Sequence, residues 1–195
     1  MIEFSEATTF LEGRISGPSI LNYAITILVP LRETSSDDSE TELPPLDAPI
    51  QKRTLLPLPA DARTDHPPAG CRYRVVGLMG SKAFPEIGYM LDPTVWGMGV
   101  ATEALRAIVP ALWEAMPRAS APAGGFDHIL AKVDAENASS MRVLEKVGFV
   151  RGKLTRNEYR SAILGIRDSV AFYLARPGCE DELRYIMGDC DRGTQ

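Results

Sequence analysis

The sequence predicts a mixed α/β domain, and three observations carry the prediction. Short apolar runs rich in β-branched and aromatic residues, bounded by glycine and proline, occur at 73–80, 86–91 and 129–133. Residues 99–116 place Ala101, Ala104, Leu105, Ile108, Leu112 and Met116 at the spacing of one helical face. The order is then a hairpin, a helix, a strand, a second helix and a closing hairpin, which lays helices over a sheet.

Each element has a local reason. Residues 7–14 suggest a short helix stopped by Gly17-Pro18, and 22–31 read as a strand from their β-branched content. From 32 to 70 the pattern dissolves into an acidic stretch (Glu33, Asp37, Asp38, Glu40, Glu42) and seven of the chain's 15 prolines. Such a segment buries too little apolar surface to offset its ordering entropy, so a flexible insertion is predicted. The runs 73–80 and 86–91, separated by a Ser/Pro-containing turn, form an antiparallel hairpin. Pro110 is expected to kink the helix of 99–116, because it removes a donor and crowds the carbonyl of Arg106. After a linker at 119–125, residues 129–133 form a strand, 139–147 a helix and Gly148 its stop. Residues 149–153 and 168–175 read as two strands joined by a polar connection. Beyond Pro177 a polar tail has little to hold it. The organisation is one domain over 1–177 with the insertion at 32–70, followed by a tail at 178–195.

Composition bounds the function. The chain's 21 Lys+Arg against 26 Asp+Glu give a formal charge of −5, which argues against a surface that neutralises nucleic-acid phosphates. Cys71, Cys179 and Cys190 are far apart with only His66 and His128 to join them, so neither a metal site nor a disulfide framework is indicated. No run approaches the ~18 apolar residues of a membrane helix, and the N-terminus lacks the features of a secretory signal. A soluble cytoplasmic protein with no membrane partner is the expectation. On that view the match of Asn137-Ala138-Ser139 to a glycosylation acceptor is coincidental.

Two segments carry chemistry. In Trp96-Gly97-Met98-Gly99-Val100-Ala101-Thr102, a glycine pair at a strand-to-helix junction leaves successive N–H groups uncovered, a site for phosphate oxygens. A turn glycine beside a helix-start glycine, with no ligand, accounts for the same pair. A dinucleotide fingerprint would need glycine at Thr102, and a Walker loop would need Gly-Lys-Ser/Thr, so both are excluded. In the second segment Asn137 is a favourable N-cap and Ser140 sits in the first helical turn, so both side chains lie at the end of the preceding strand. Plain helix capping explains either residue alone.

Together these segments resemble the GNAT acyl-CoA-dependent N-acetyltransferases. The resemblance rests on Glu86-Ile87-Gly88-Tyr89-Met90-Leu91-Asp92-Pro93, on the loop and helix start from Trp96 to Leu105, and on the run from Glu136 to Phe149. Arg167-Asp168-Ser169 is similar to the signal of the branch typified by RimJ and RimL. The match spans 72–176, with a weaker echo at 7–31. It implies a GNAT-type mixed, mostly antiparallel central sheet, splayed between the strands 86–91 and 129–134 and flanked by helices.

It also implies acetyl-CoA as co-substrate, with no metal. The pantetheine arm would pair with backbone at Met90 and Leu91, and the pyrophosphate would sit on the amides of Met98, Gly99, Val100, Ala101 and Thr102. Asn137 and Ser140 match positions that face the cofactor. The implied reaction is direct attack of a primary amine, a protein N-terminus or a small molecule, on the thioester. Glu86 stands where a general base would act, directly or through water, or it serves only surface solvation. Ser140 is the candidate for thiolate protonation or for positioning a water. Trp96 is expected to pack without touching ligand, Tyr159 to pack at the surface, and His128 to cap a strand edge.

The family's usual first strand and helix have no match at the start of this sequence. An acceptor pocket that is open or completed by a second subunit would follow, with a homodimer as the candidate assembly. The alternative is an N-terminally truncated domain that binds acyl-CoA or a partner without efficient turnover.

Overall fold

The computed structural model describes residues 21–30 and 70–188. The helix expected at 7–14, residues 32–69 of the expected insertion, residues 189–195 of the tail, His66 and Cys190 lie outside them. Six strands, β1 (Leu21–Pro30), β2 (Cys71–Ala83), β3 (Glu86–Leu91), β4 (His128–Asp134), β5 (Val150–Ser161) and β6 (Gly165–Ala175), form an open sheet in the order β1-β2-β3-β4-β6-β5. A 3-10 turn spans Pro93–Val95, and the helices are α1 (Val100–Ala115), α2 (Ala138–Val147) and α3 (Glu180–Gly188). This is the mixed, mostly antiparallel sheet with flanking helices that the sequence predicts. The described residues divide into two compact units, one within 21–23, 79–89 and 101–188, the other within 24–30, 70–78 and 90–100.

In the larger unit the predicted periodicities hold. On α1, Leu105, Ile108 and Leu112 are buried, with Met116 just beyond its end, while Pro110 is exposed and the helix runs on through it. β4 alternates, burying Ile129, Ala131 and Val133. Its antiparallel register with β6 sets Val133 beside Val170 and Ala131 beside Phe172, so both strands bury the same face. Asn137 caps α2 by accepting the Ser140 N–H at 3.0 Å. Gly148, at φ 102°, ends it, and the N–H of Phe149 returns to the Leu144 carbonyl at 3.0 Å.

β3 and β4 run parallel but register at only two pairs, Glu86↔Leu130 and Ile87↔Ala131. β4 meanwhile pairs with β6 along its whole length, from His128↔Ala175 to Asp134↔Ser169. Within the larger unit, Gly88 and Tyr89 form no further ladder pair with β4.

Several expectations are corrected. The polar connection expected between 153 and 168 is mostly strand, and β5 and β6 pair as far as Ser161↔Gly165. Its polar side chains bond to one another and to β4, a pattern that alternation of apolar residues does not encode. The ladder shifts register between Thr155 and Tyr159, and Asn157 within that stretch has φ 53°, as a bulge requires. The stretch after Pro177 is not left unheld: α3 buries Leu183 and carries Glu180, Asp181 and Glu182 in its first turn, where the helix dipole favours acids. His128 opens β4, an inner strand, with its ring edge-on to Phe126 and Tyr173 at 6.0 and 5.9 Å.

Arg176, unremarked in the sequence, is buried and closes α1. Its guanidinium donates to the carbonyls of Trp113 and Met116 at 2.7 Å each, pairs with Asp127 at 3.0 Å and stacks on the Trp113 ring. It thereby satisfies carbonyls that a helix end leaves without partners.

The smaller unit buries Ile25, Ile27, Val76, Val95 and Val100. Gly77 of β2 lies so close to the backbone of Met90 and Leu91 that a Cβ there would collide with the Met90 carbonyl. The Asp92 N–H donates to the Val76 carbonyl at 2.7 Å.

Candidate active site

The glycine loop is prepared by Asp92. Its Oδ1 accepts the Thr94 N–H at 2.8 Å and the Thr94 hydroxyl at 2.6 Å, and these bonds hold the carboxyl below its ordinary range. Arg74 stands 3.8 Å away. After the 3-10 turn, Gly97 and Gly99 take φ 73° and 89°, and a Cβ on either would meet nothing within 4 Å. Backbone conformation, not crowding, calls for glycine here, and the loop is open on that side. α1 starts at Val100, so the amides that follow Gly99 are those a helix leaves unpaired at its positive end.

The residues expected to hold a pyrophosphate are thus consecutive across the loop and first helical turn. The Val100 side chain is buried, Met98, Ala101 and Thr102 are half-buried, and Gly99 is exposed. Just before the loop, Met90 is exposed and the Leu91 carbonyl accepts the Trp96 indole N–H at 3.1 Å. Trp96 is 68% exposed, so the expectation that it packs is corrected: its one donor is tied to backbone and its ring faces solvent. A shallow hollow of about 460 Å³ is lined by Val75, Gly77, Met90, Leu91 and Asp92.

In the other unit, Glu86 is the exposed first residue of β3 and Ile87 beside it is buried. Asn137 and Ser140 meet at the start of α2, and the half-buried Tyr89 donates its hydroxyl to the Ser140 carbonyl at 3.3 Å. Burial pushes the Tyr89 phenol above its ordinary pKa. Lys132 lies on the same sheet face as Glu86, since Glu86 pairs with Leu130 two residues earlier. Its ammonium is ion-paired with Glu158, whose other oxygen accepts the Ser169 hydroxyl. The Glu158 bond, with help from the charges of Glu158 and Glu86, raises the Lys132 pKa.

At the end of β4 stands a cluster whose role the sequence does not announce. Arg167 holds Asp134 through Nε–H to Oδ2 at 2.8 Å and a terminal N–H to Oδ1 at 2.9 Å, and reaches Glu136 at 2.7 Å. Tyr159 donates its hydroxyl to Asp134 Oδ2 at 2.7 Å, which goes beyond the surface packing expected of it. Chiefly through Arg167, the Asp134 carboxyl is held far below its ordinary pKa. The only local hints are an acid at the end of an apolar strand and the charged pair Arg167-Asp168. Another groove, about 870 Å³ beside Val150, Tyr173, Leu183, Ile186 and Met187, contains none of the predicted site residues. Among the described residues no group of three or more His, Cys, Asp or Glu could hold a metal ion.

Residues 67–150 match the family model described as an acetyltransferase (GNAT) domain. Over this segment the chain is similar to GNAT acetyltransferase domains. All the site residues expected from the sequence fall within it, whereas Glu158, Tyr159, Arg167 and Ser169 lie beyond its matched end.

Solved structures similar to this chain include the ribosomal-protein-S5-alanine acetyltransferase of Vibrio fischeri, with 18% identity, TM-score 0.44, and coverage of 54% of this chain and 57% of that one. The microcin C7 self-immunity acetyltransferase MccE, in complex with acetyl-CoA and AMP, has 16% identity, TM-score 0.43, and coverage of 54% and 58%. RimL, a ribosomal L7/L12 alpha-N-protein acetyltransferase in complex with coenzyme A, has 18% identity, TM-score 0.43, and coverage of 53% and 56%. The chain thus spans a little over half the length of each. A search of curated proteins returned no match.

Proposed function

We propose that the protein is an acetyl-CoA-dependent N-acetyltransferase, which moves the acetyl group to a primary amine of a protein N-terminus or a small molecule. The observation that carries the proposal is the GNAT match over 67–150, which contains the glycine loop and the Asn137/Ser140 helix start. The loop's fit to a diphosphate is supported by open space beside Gly99 and by the start of α1 at Val100, where a helix leaves its first amides without intrahelical partners.

On this reading the amides of Met98, Gly99, Val100, Ala101 and Thr102 hold the pyrophosphate. Backbone at Met90 and Leu91 pairs with the pantetheine, and Asn137 faces the cofactor. The neutral amine attacks the thioester carbonyl, a C–N bond forms, and the C–S bond then breaks. Glu86 takes the proton from the attacking nitrogen, directly or through water, and its exposure keeps it within reach of an acceptor. A backbone amide near Met90 steadies the oxyanion. The leaving thiolate takes a proton from the Ser140 hydroxyl or from a water that it positions.

Calorimetry with acetyl-CoA, followed by thiol release with a panel of amines and N-terminal peptides, tests the proposal. Binding with turnover on at least one amine is expected. Absence of acetyl-CoA binding would overturn it, and binding without thiol release from any acceptor would leave a cofactor-binding domain in its place.

A further inference from the structure

We infer that Tyr89 is a positioning residue for the proposed transfer, one that fastens the first turn of α2 to β3 where the β3–β4 ladder stops. The inference rests on the acetyltransferase reading above. Past Ile87↔Ala131 no ladder pair joins Gly88 and Tyr89 to β4, so a side-chain bond is what ties this part of β3 to its neighbours. Ile87 and Tyr89 share one face of β3, and Ile87 is buried, so the Tyr89 ring projects to the covered side. There its hydroxyl donates to the carbonyl of Ser140.

That carbonyl belongs to the turn capped by Asn137, whose Oδ1 accepts the Ser140 N–H. One phenol thereby fixes both side chains assigned to the cofactor without touching the reacting atoms. Because burial raises its pKa, the phenol stays a donor throughout the neutral range. The bond, at 3.3 Å, is long beside the roughly 2.7–2.8 Å usual for O–H···O.

The test compares the wild-type chain with Tyr89→Phe, which keeps the ring and deletes the donor. Acetyl-CoA dissociation constants, turnover at saturating acetyl-CoA and thermal midpoints are measured for both. The expected result is a roughly three- to tenfold rise in the dissociation constant, the range a single lost hydrogen bond gives, with turnover within about twofold and an unchanged midpoint. An unaltered dissociation constant in Tyr89→Phe, with the wild type binding normally, overturns this inference alone. So does a fall in midpoint with parallel loss of binding and turnover, since that marks a merely structural side chain. A wild-type chain that binds no acetyl-CoA overturns the acetyltransferase reading itself.

Discussion

Arg167 closes a two-pronged grip on Asp134, with contacts of 2.8 and 2.9 Å that fasten β6 to the last residue of β4. The planar guanidinium matches both carboxylate oxygens at once, and a lysine cannot reproduce that. Tyr159 of β5 adds its hydroxyl to the same carboxylate, so three strands meet on one acid. The outer half of the β5–β6 hairpin, poor in buried apolar residues, is held by this cluster and by the Lys132–Glu158–Ser169 chain. Arg167→Lys should therefore lower the thermal midpoint and speed amide exchange over 157–160, with the α1 amides unaffected. Equal acceleration in α1 would show that the grip is not local.

The same acids set a pH dependence. Asp134 and Glu158 are both held below their ordinary values, by Arg167 and by Lys132 respectively. A depressed folded-state pKa contributes stability that is present above the unfolded value, about 3.9 for Asp and 4.3 for Glu, and is lost as pH falls further. The thermal midpoint should be flat from pH 7 to about 5 and drop below about 4. Asp134→Asn should blunt that drop, and an identical acid profile in the variant would remove Asp134 as its cause.

Gly99 offers a test of the loop. At φ 89° an alanine there takes on the left-handed strain of roughly 1–2 kcal/mol while meeting no neighbour. If the loop relaxes to relieve it, the amides lose their aim, and the acetyl-CoA dissociation constant should rise about tenfold with turnover at saturation little changed. Undiminished affinity in Gly99→Ala would separate this loop from the cofactor.

Glu86→Gln should reduce turnover by about 10²-fold or more while leaving acetyl-CoA affinity intact, the signature of a lost base. Stopped-flow thiol release at saturating acetyl-CoA checks it. Unchanged turnover would return Glu86 to the solvated strand edge.

For stability, Phe172 is fully buried and Ile163 is 91% exposed. Phe172→Ala should cost about 3–5 kcal/mol, and Ile163→Ala should stay within about 0.5 kcal/mol. Denaturant midpoints decide, and a comparable loss at both would mean that the hairpin tip is covered in solution.

Much of the local structure around the candidate site was legible because its signals are local. Gly97 and Gly99 stand out since only glycine takes their backbone angles at little cost, and Asn137 and Gly148 mark the two ends of α2 by their capping chemistry. The alternation of Ile129, Ala131 and Val133 gives β4 directly. Tyr89 was less legible, because its partner is a backbone carbonyl 51 residues away. Trp96 misled for a related reason: a large aromatic ring suggests burial, yet its indole N–H is satisfied by the Leu91 carbonyl with the ring left outside.

By itself the sequence determined the order of strands and helices, the α1 and α2 faces, the glycine loop and the GNAT resemblance, all of which depend on residues within about one element of each other. Tertiary structure alone decided that the polar stretch after Lys153 is strand, that α3 forms on a buried Leu183, and that Arg176 closes α1. It also decided that the β3–β4 ladder stops at Ile87↔Ala131 and that Tyr89 bonds to α2. The physical reason is the same in each case. Charged and hydroxyl side chains bond to partners far along the chain, and no local periodicity records a partner that only folding brings near.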